Sequence, residues 1–196
     1  AGGIAPLVNL IENATCHVGG ASDRRRIELM AVIALRNMAI DDNNKVAIGN
    51  AGGILPLVDL MRIGTIEIVV AAAAALGNLA YVNADNAVLI VRAGGIPPLI
   101  GLTSSGCGGG AKERAVEALR NLSDAEVPDD NRVTIVAAGG VPPLIELTRS
   151  GTAIAKMRAA ATLCNLIEHS TEHGAAIAAA GGIPAFIELT RTGNAE

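Results

Sequence analysis

The chain has no tryptophan, one tyrosine (Tyr81) and one phenylalanine (Phe186), although about half of its 196 residues are hydrophobic. A core without rings must be built from Ala, Leu, Ile and Val with backbones close together, which suits stacked helices better than a sheet. No uninterrupted apolar run reaches the roughly 18 residues that a membrane span requires, and the Ala-rich stretch Ile68 to Leu76 is too short. A soluble chain is expected. Cys16, Cys107 and Cys164 are odd in number and unpatterned, so no disulfide framework can be drawn; a reducing compartment, cytoplasm or nucleus, is expected. There is no initiator methionine, signal-like segment or charged tail.

What the chain does have is one phrase written five times. Copies begin at Ala1 (AGGIAPLVNL), Ala51 (AGGILPLVDL), Ala93 (AGGIPPLIGL), Ala138 (AGGVPPLIEL) and Ala180 (AGGIPAFIEL), with starts 50, 42, 45 and 42 residues apart. That is the period of a helical solenoid, in which each unit buries its apolar side only against its neighbours. A second mark keeps step with the first: an apolar helical run ending on Asn37, Asn78, Asn121 or Asn165, lying 36, 27, 28 and 27 residues after the start of its unit. The chain therefore divides into units 1–50, 51–92, 93–137 and 138–179 with a partial unit 180–196, all in a single array. It opens and closes inside the pattern without polar caps, and so reads as a piece of a longer array.

Each unit reads as short helix, kink, short helix, turn, long helix. Proline after the glycine pair suits the first helical turn, where a missing N–H costs nothing. The paired glycines permit left-handed backbone and a sharp angle between helices. In the first unit, Asn13 to Asp23 reads as a surface loop, with Asp23 capping a helix from Arg24 to Ala39. Acidic or amide clusters precede the other short helices: Asp41 to Asn44 before Lys45–Asn50, then Asp85-Asn86, Asp129 to Asn131 and Thr171 to His173. Such residues accept the free N–H groups of a helix start, so they are expected to cap. Unit two is expected to have helices near Leu55–Met61, Ile66–Ala80 and Asn86–Arg92. Thr103–Gly110 and Ser123–Asp130 read as longer turns.

The G-G-[IV]-x-P-L-[VI]-x-L phrase, with the A-L-x-N-L ending of the long helix, resembles the armadillo repeat and covers essentially the whole chain. The resemblance implies an all-α, right-handed superhelix whose long helices line a concave groove. It also implies a non-catalytic role in binding proteins, as in arrays of the β-catenin, importin-α and vacuolar-adaptor type. In peptide-binding members an asparagine at the position of Asn37, Asn78, Asn121 and Asn165 hydrogen-bonds the backbone of an extended peptide. Importin-α-like arrays usually place Trp four residues before it; here stand Ile33, Ala74, Glu117 and Ala161, which argues against recognition of a basic nuclear-import signal.

Residues four, seven and eleven before each asparagine share its helical face, which adds Arg26, Arg114, Arg158 and Glu117 to the expected peptide-binding set. A ladder of amides can donate to and accept from a peptide backbone without demanding a side-chain sequence. Over the expected long helices, nine basic side chains face four acidic ones, a balance of +5 in a chain of net −4. A mildly basic inner face suits an acidic or phosphorylated extended segment. Two simpler readings stand beside it: the charges merely solvate helix starts, and the asparagines tie neighbouring repeats together. A structural role, stacking through repeat ends or the convex face inside a larger assembly, with self-association through repeat ends, is the alternative function. Membership of a ligase or a membrane-anchored adaptor would rest on family analogy alone.

Other motifs do not hold. His169 to His173 spells H-x-x-E-H, but a turn is expected between the histidines, and zinc chemistry needs both on one continuous helix face. Gly106 to Glu113 lacks the Gly and Ser/Thr of a phosphate loop, and no strand precedes it. Arg24-Arg25-Arg26 has no aromatic platforms for nucleic acid. Cys16 and His17 read as a loop pair, and Cys164 as part of a packed helix. No catalytic residue, metal or cofactor is expected, and protein is the expected partner.

Overall fold

The computed structural model describes residues 2–12, 21–104, 106, 108–127, 130–168 and 170–193. Among them are thirteen α-helices and no strand: α1 (Ile4–Glu12), α2 (Ala21–Met38), α3 (Asp42–Asn50), α4 (Ile54–Ile63), α5 (Ile66–Ala80), α6 (Ala84–Arg92), α7 (Ile96–Ser104), α8 (Gly109–Asp124), α9 (Asn131–Ala137), α10 (Val141–Ser150), α11 (Ala153–Glu168), α12 (Thr171–Ala179) and α13 (Gly182–Gly193). The all-α solenoid is the architecture seen. No single helix among the described residues is long and apolar enough to cross a membrane.

The AGG phrase sets the shape of each unit. In Ala93-Gly94-Gly95 the Gly94 N–H donates to Val91 O and the Gly95 N–H to Ile90 O, both at 2.9 Å, closing α6 with the paired bonds of a Schellman cap. The first glycine must be left-handed for this, and Gly52, Gly94, Gly139 and Gly181 have φ from 75° to 86°. The second must have no side chain, since a Cβ on Gly95 would sit 3.0 Å from Ile90 O. The short helices on either side consequently meet at 80° for α3/α4 and 81° for α6/α7.

The long helices α2, α5, α8 and α11 pack in series, each also lying on the short helix before it. Their core is aliphatic throughout: Leu35, Leu76, Leu119 and Leu163 are fully buried, as are Ala72, Ala73 and Ala75. Small residues let the helices approach closely; at the α5/α8 crossing a Cβ on Gly77 would be 3.4 Å from the Cα of Ala118.

Several boundaries differ from the sequence reading. Helix α2 begins at Ala21, so Asp23 lies inside its first turn rather than before it. Helix α3 begins at Asp42, and its cap is Asp41, whose carboxylate accepts from the Asn44 N–H at 3.0 Å. Asn83, Asp130 and Ser170 cap α6, α9 and α12. Asp41 and Asp130 are among the residues expected to cap, whereas others of those clusters turn inward. Asn86 Nδ2 donates to Leu79 O (3.2 Å) and Lys45 O (3.0 Å), and Asn131 Nδ2 donates to Leu122 O (3.1 Å). His173 Nδ1 lies 3.1 Å from Leu166 O. Each occupies the position seven residues before its AGG phrase and staples a short helix to the frayed end of the preceding long one. The turn expected over Thr103–Gly110 is shorter, because α7 runs to Ser104 and α8 starts at Gly109; α8 likewise extends through Ser123 and Asp124. Cys16, His17, Cys107 and His169 lie outside the described residues.

Candidate functional site

The four ladder asparagines sit near the C-terminal ends of the long helices, and three of them reach back one repeat. Asn78 Nδ2 donates to Arg36 O at 3.0 Å, Asn121 Nδ2 to Gly77 O at 2.9 Å and Asn165 Nδ2 to Ser123 Oγ at 3.0 Å. These carbonyls and this hydroxyl belong to the last turns of the preceding long helices; Gly77 O also accepts from the Tyr81 N–H at 3.2 Å, and the Ser123 hydroxyl donates to Arg120 O at 2.8 Å. Asn37 has no described repeat before it; it is exposed and its Oδ1 accepts from Arg36 Nε (3.2 Å) and Nη2 (3.0 Å). Asn121 accepts from Arg120 Nη2 at 3.0 Å and is buried.

One amide hydrogen is thus committed to the scaffold in each of Asn78, Asn121 and Asn165. Asn78 retains its second hydrogen and its carbonyl oxygen, which have no other partner among the described residues. Both Asn78 and Asn121 line a cavity of about 440 Å³ together with Ile40, Tyr81, Glu117 and Arg120. A second cavity of about 380 Å³ also borders Tyr81 and Asn121 and reaches Asp124, the last residue of α8, and Glu126 beyond it. Asn37 and Asn165 line neither.

The other expected site residues divide into two groups. Glu117 accepts from Arg114 (2.9 Å) and, across the repeat boundary, from Arg158 (2.8 Å), whose other nitrogen donates to Glu113 O at 3.3 Å. Two of the cations expected to meet a ligand are therefore neutralised within the groove. Arg26 stands far from them on α2, exposed beside an almost wholly apolar cavity of about 310 Å³ formed with Leu7, Leu10, Ile27 and Met30. Ala74 and Ala71, four and seven residues before Asn78, are buried.

The charge balance is also corrected. With the observed helix ends, Asp23, Asp124 and Glu168 join the long helices, so nine basic side chains face seven acidic ones and the balance falls to +2. Cys164 corrects another reading: it lies on α11 but is exposed, because its side of that helix has no described neighbour. His173 lies in the first turn of α12, and among the described residues no group of three or more His, Cys, Asp or Glu could hold a metal ion.

Sequence reasoning missed Tyr81 and Lys45. Lys45 is 3% exposed, and its ammonium donates to Asp42 Oδ1 (2.7 Å) and Tyr81 O (3.0 Å) while lying 5.1 Å from the centre of the Tyr81 ring. The signal available was compositional, since Tyr81 is the single tyrosine and follows a ladder asparagine by three residues.

The profile of the armadillo/beta-catenin-like repeat matches residues 41–81 and 128–168, each span running from the short helix before the glycine kink through the end of a long helix. Residues 41–81 and 128–168 are armadillo-type repeats. Solved structures agree with this armadillo array over nearly its whole length. A designed armadillo repeat protein, 25% identical, matches 95% of this chain and 74% of its own with a TM-score of 0.83. Another, in complex with the peptide (KR)4, is 23% identical with the same coverage and TM-score. The armadillo repeats only protein of Plasmodium falciparum is 22% identical over 90% of this chain and 80% of its own, at a TM-score of 0.74. A search of curated proteins found no significant match. The armadillo phase places the first short helix of each unit at the start of the repeat, so α1 and α2 correspond to the second and third helices of a unit, and α12 and α13 to the first and second.

Proposed function

We propose that this armadillo array is a non-catalytic scaffold or adaptor that holds an extended polypeptide segment along its long helices, in the cytoplasm or nucleus. The observation that carries the reading is the cavity between Asn78 and Asn121, where an amide with spare donor and acceptor capacity stands beside an open space of about 440 Å³. An extended backbone offers alternating N–H and C=O groups, which a side-chain amide can pair without reading sequence. The designed armadillo protein that carries a (KR)4 peptide supports the use of such a groove for extended chains. The sign of charge is proposed to differ here. The chain lacks tryptophan, and Arg120, facing the cavity, has no carboxylate partner among the described residues. An acidic or phosphorylated segment is therefore the ligand class.

The test is capture of acidic peptides by the full chain and by its Asn78→Ala, Asn121→Ala double variant. Loss of at least tenfold in affinity is expected. Each substitution also removes one inter-repeat hydrogen bond worth about 1 kcal/mol, so urea unfolding of the same variant must show that the array remains folded. Unchanged affinity, or preference for basic peptides, contradicts the reading.

A second reading, assembly through the repeat ends, is favoured by one observation. The fourth residue of the AGG phrase is buried in Ile4, Ile54, Ile96 and Val141, but Ile183 is 60% exposed and Ile187 of the same helix is 48% exposed. In the other four copies a long helix covers this side of the short one. The apolar face on α13 suits stacking against another helix.

A further inference from the structure

The junction after α5 has features that stacking repeats do not require. Three residues past the ladder asparagine the units carry Ile40, Tyr81, Asp124 and, at the end of α11, Glu168. Ile40 and Tyr81 are exposed, and so is Val82 next to Tyr81. Val82 has φ 51°, and among the described residues it is the one non-glycine with a positive φ. The backbone is thus turned so that a β-branched side chain and an aromatic ring both stand out from the surface.

The ring is also held in place. Lys45 reaches it from α3, with its charge met by Asp42 and a second N–H donated to the Tyr81 carbonyl. A ring supported by a pinned cation loses little freedom when a ligand packs on it, and rigid Tyr and Arg side chains dominate the energetics of interfaces. Two cavities flank this ring. On the α3 side, Asp42 is used by Lys45 and Glu117 by Arg114 and Arg158, leaving Arg120 as the cation without a carboxylate. On the α6 side the rim carries Asp124 and Glu126, both exposed.

We infer that Tyr81 is the anchoring platform of the groove, taking a bulky apolar side chain of the bound segment between itself and Ile40. The bound segment has an acidic residue on the Arg120 side of that anchor and a basic residue on the Asp124 and Glu126 side. This rests on the groove reading above and gives it a residue order: acidic, bulky apolar, basic, from α3 toward α6. Ion pairs at the two ends set the direction of the segment, and the apolar insertion supplies the affinity.

The experiment is selection of displayed peptides against the full chain, followed by titration of a selected peptide that contains neither Tyr nor Trp. Tyr81 is the sole tyrosine in a chain without tryptophan, so protein tyrosine emission reports this one site. The expected results are a selected pattern with a bulky apolar residue between opposite charges and an emission change that saturates with binding. Tyr81→Ala should lose at least tenfold in affinity, and Tyr81→Phe should stay within about twofold. The Lys45 hydrogen bond goes to the Tyr81 backbone, so it survives both substitutions, and circular dichroism checks that both variants fold. If Tyr81→Ala binds as the parent does while the Asn78→Ala, Asn121→Ala variant does not, the anchor is wrong and the groove stands. If neither variant changes binding, or no peptide is selected, both fall.

Discussion

Lys45 illustrates how single side chains are used in this array. A buried ammonium is costly unless it is paired and hydrogen-bonded, and Lys45 has a carboxylate, a carbonyl and a ring as partners, drawn from its own helix and from the unit that follows. Val82 shows the opposite balance. Its left-handed backbone costs about 1–2 kcal/mol for a β-branched residue, and the turn that it completes presents Tyr81. Glu67, in the first turn of α5, is held below its ordinary value of 4.5, first by its own backbone N–H and second by the Thr65 side chain. Its ionised form is therefore favoured in the folded state. The stability it contributes is present above its unfolded value and lost as pH falls through the lower folded value. Carboxyl NMR titration should show Glu67 changing charge at lower pH than a free glutamate, and Glu67→Gln should remove that part of the acid dependence; an ordinary titration would contradict the assignment.

The helices were largely legible because the repeat supplied five readings of one pattern. Helix α5 has the bounds that its apolar spacing predicts, Ile66–Ala80, and the AGG kink followed from glycine's access to positive φ. The caps of α3 and α9 fell within the expected clusters, but those of α6 and α12 were missed for a local reason: several polar residues crowd each helix start, and one position decides which accepts the free N–H and which turns inward as a staple. The glycine cap makes a direct prediction. Gly139 has φ 78° with nothing within 4 Å of a hypothetical Cβ, so Gly139→Ala tests backbone strain free of collision. It should destabilise by about 1–2 kcal/mol, and Gly139→Asn by less, since asparagine tolerates the left-handed region. Urea unfolding measures both, and equal stability of the alanine variant and the parent would refute the strain account.

The array as a whole holds what no single repeat could disclose. Glu117 and Arg158 are 41 residues apart and belong to different units, so their pairing, and the neutralising of a groove read as basic, depends on how repeats stack. The same holds for Asn78, Asn121 and Asn165. Spacing put them on one face, but which amide hydrogens bind the neighbouring repeat and which stay open is settled only by the approach of successive long helices. The functional account concentrates the groove on units one to three, where Asn78, Asn121 and Tyr81 converge, and leaves Asn37 and Asn165 at its margins.

That concentration is open to one direct measurement: the side-chain amide NMR signals of all four ladder asparagines during titration with an acidic peptide. The account predicts that the Asn78 and Asn121 signals move together along one binding curve while those of Asn165 move least. Unmoved signals at Asn78 and Asn121, with shifts confined to the α13 face around Ile183 and Ile187, would contradict the groove and favour assembly through the ends.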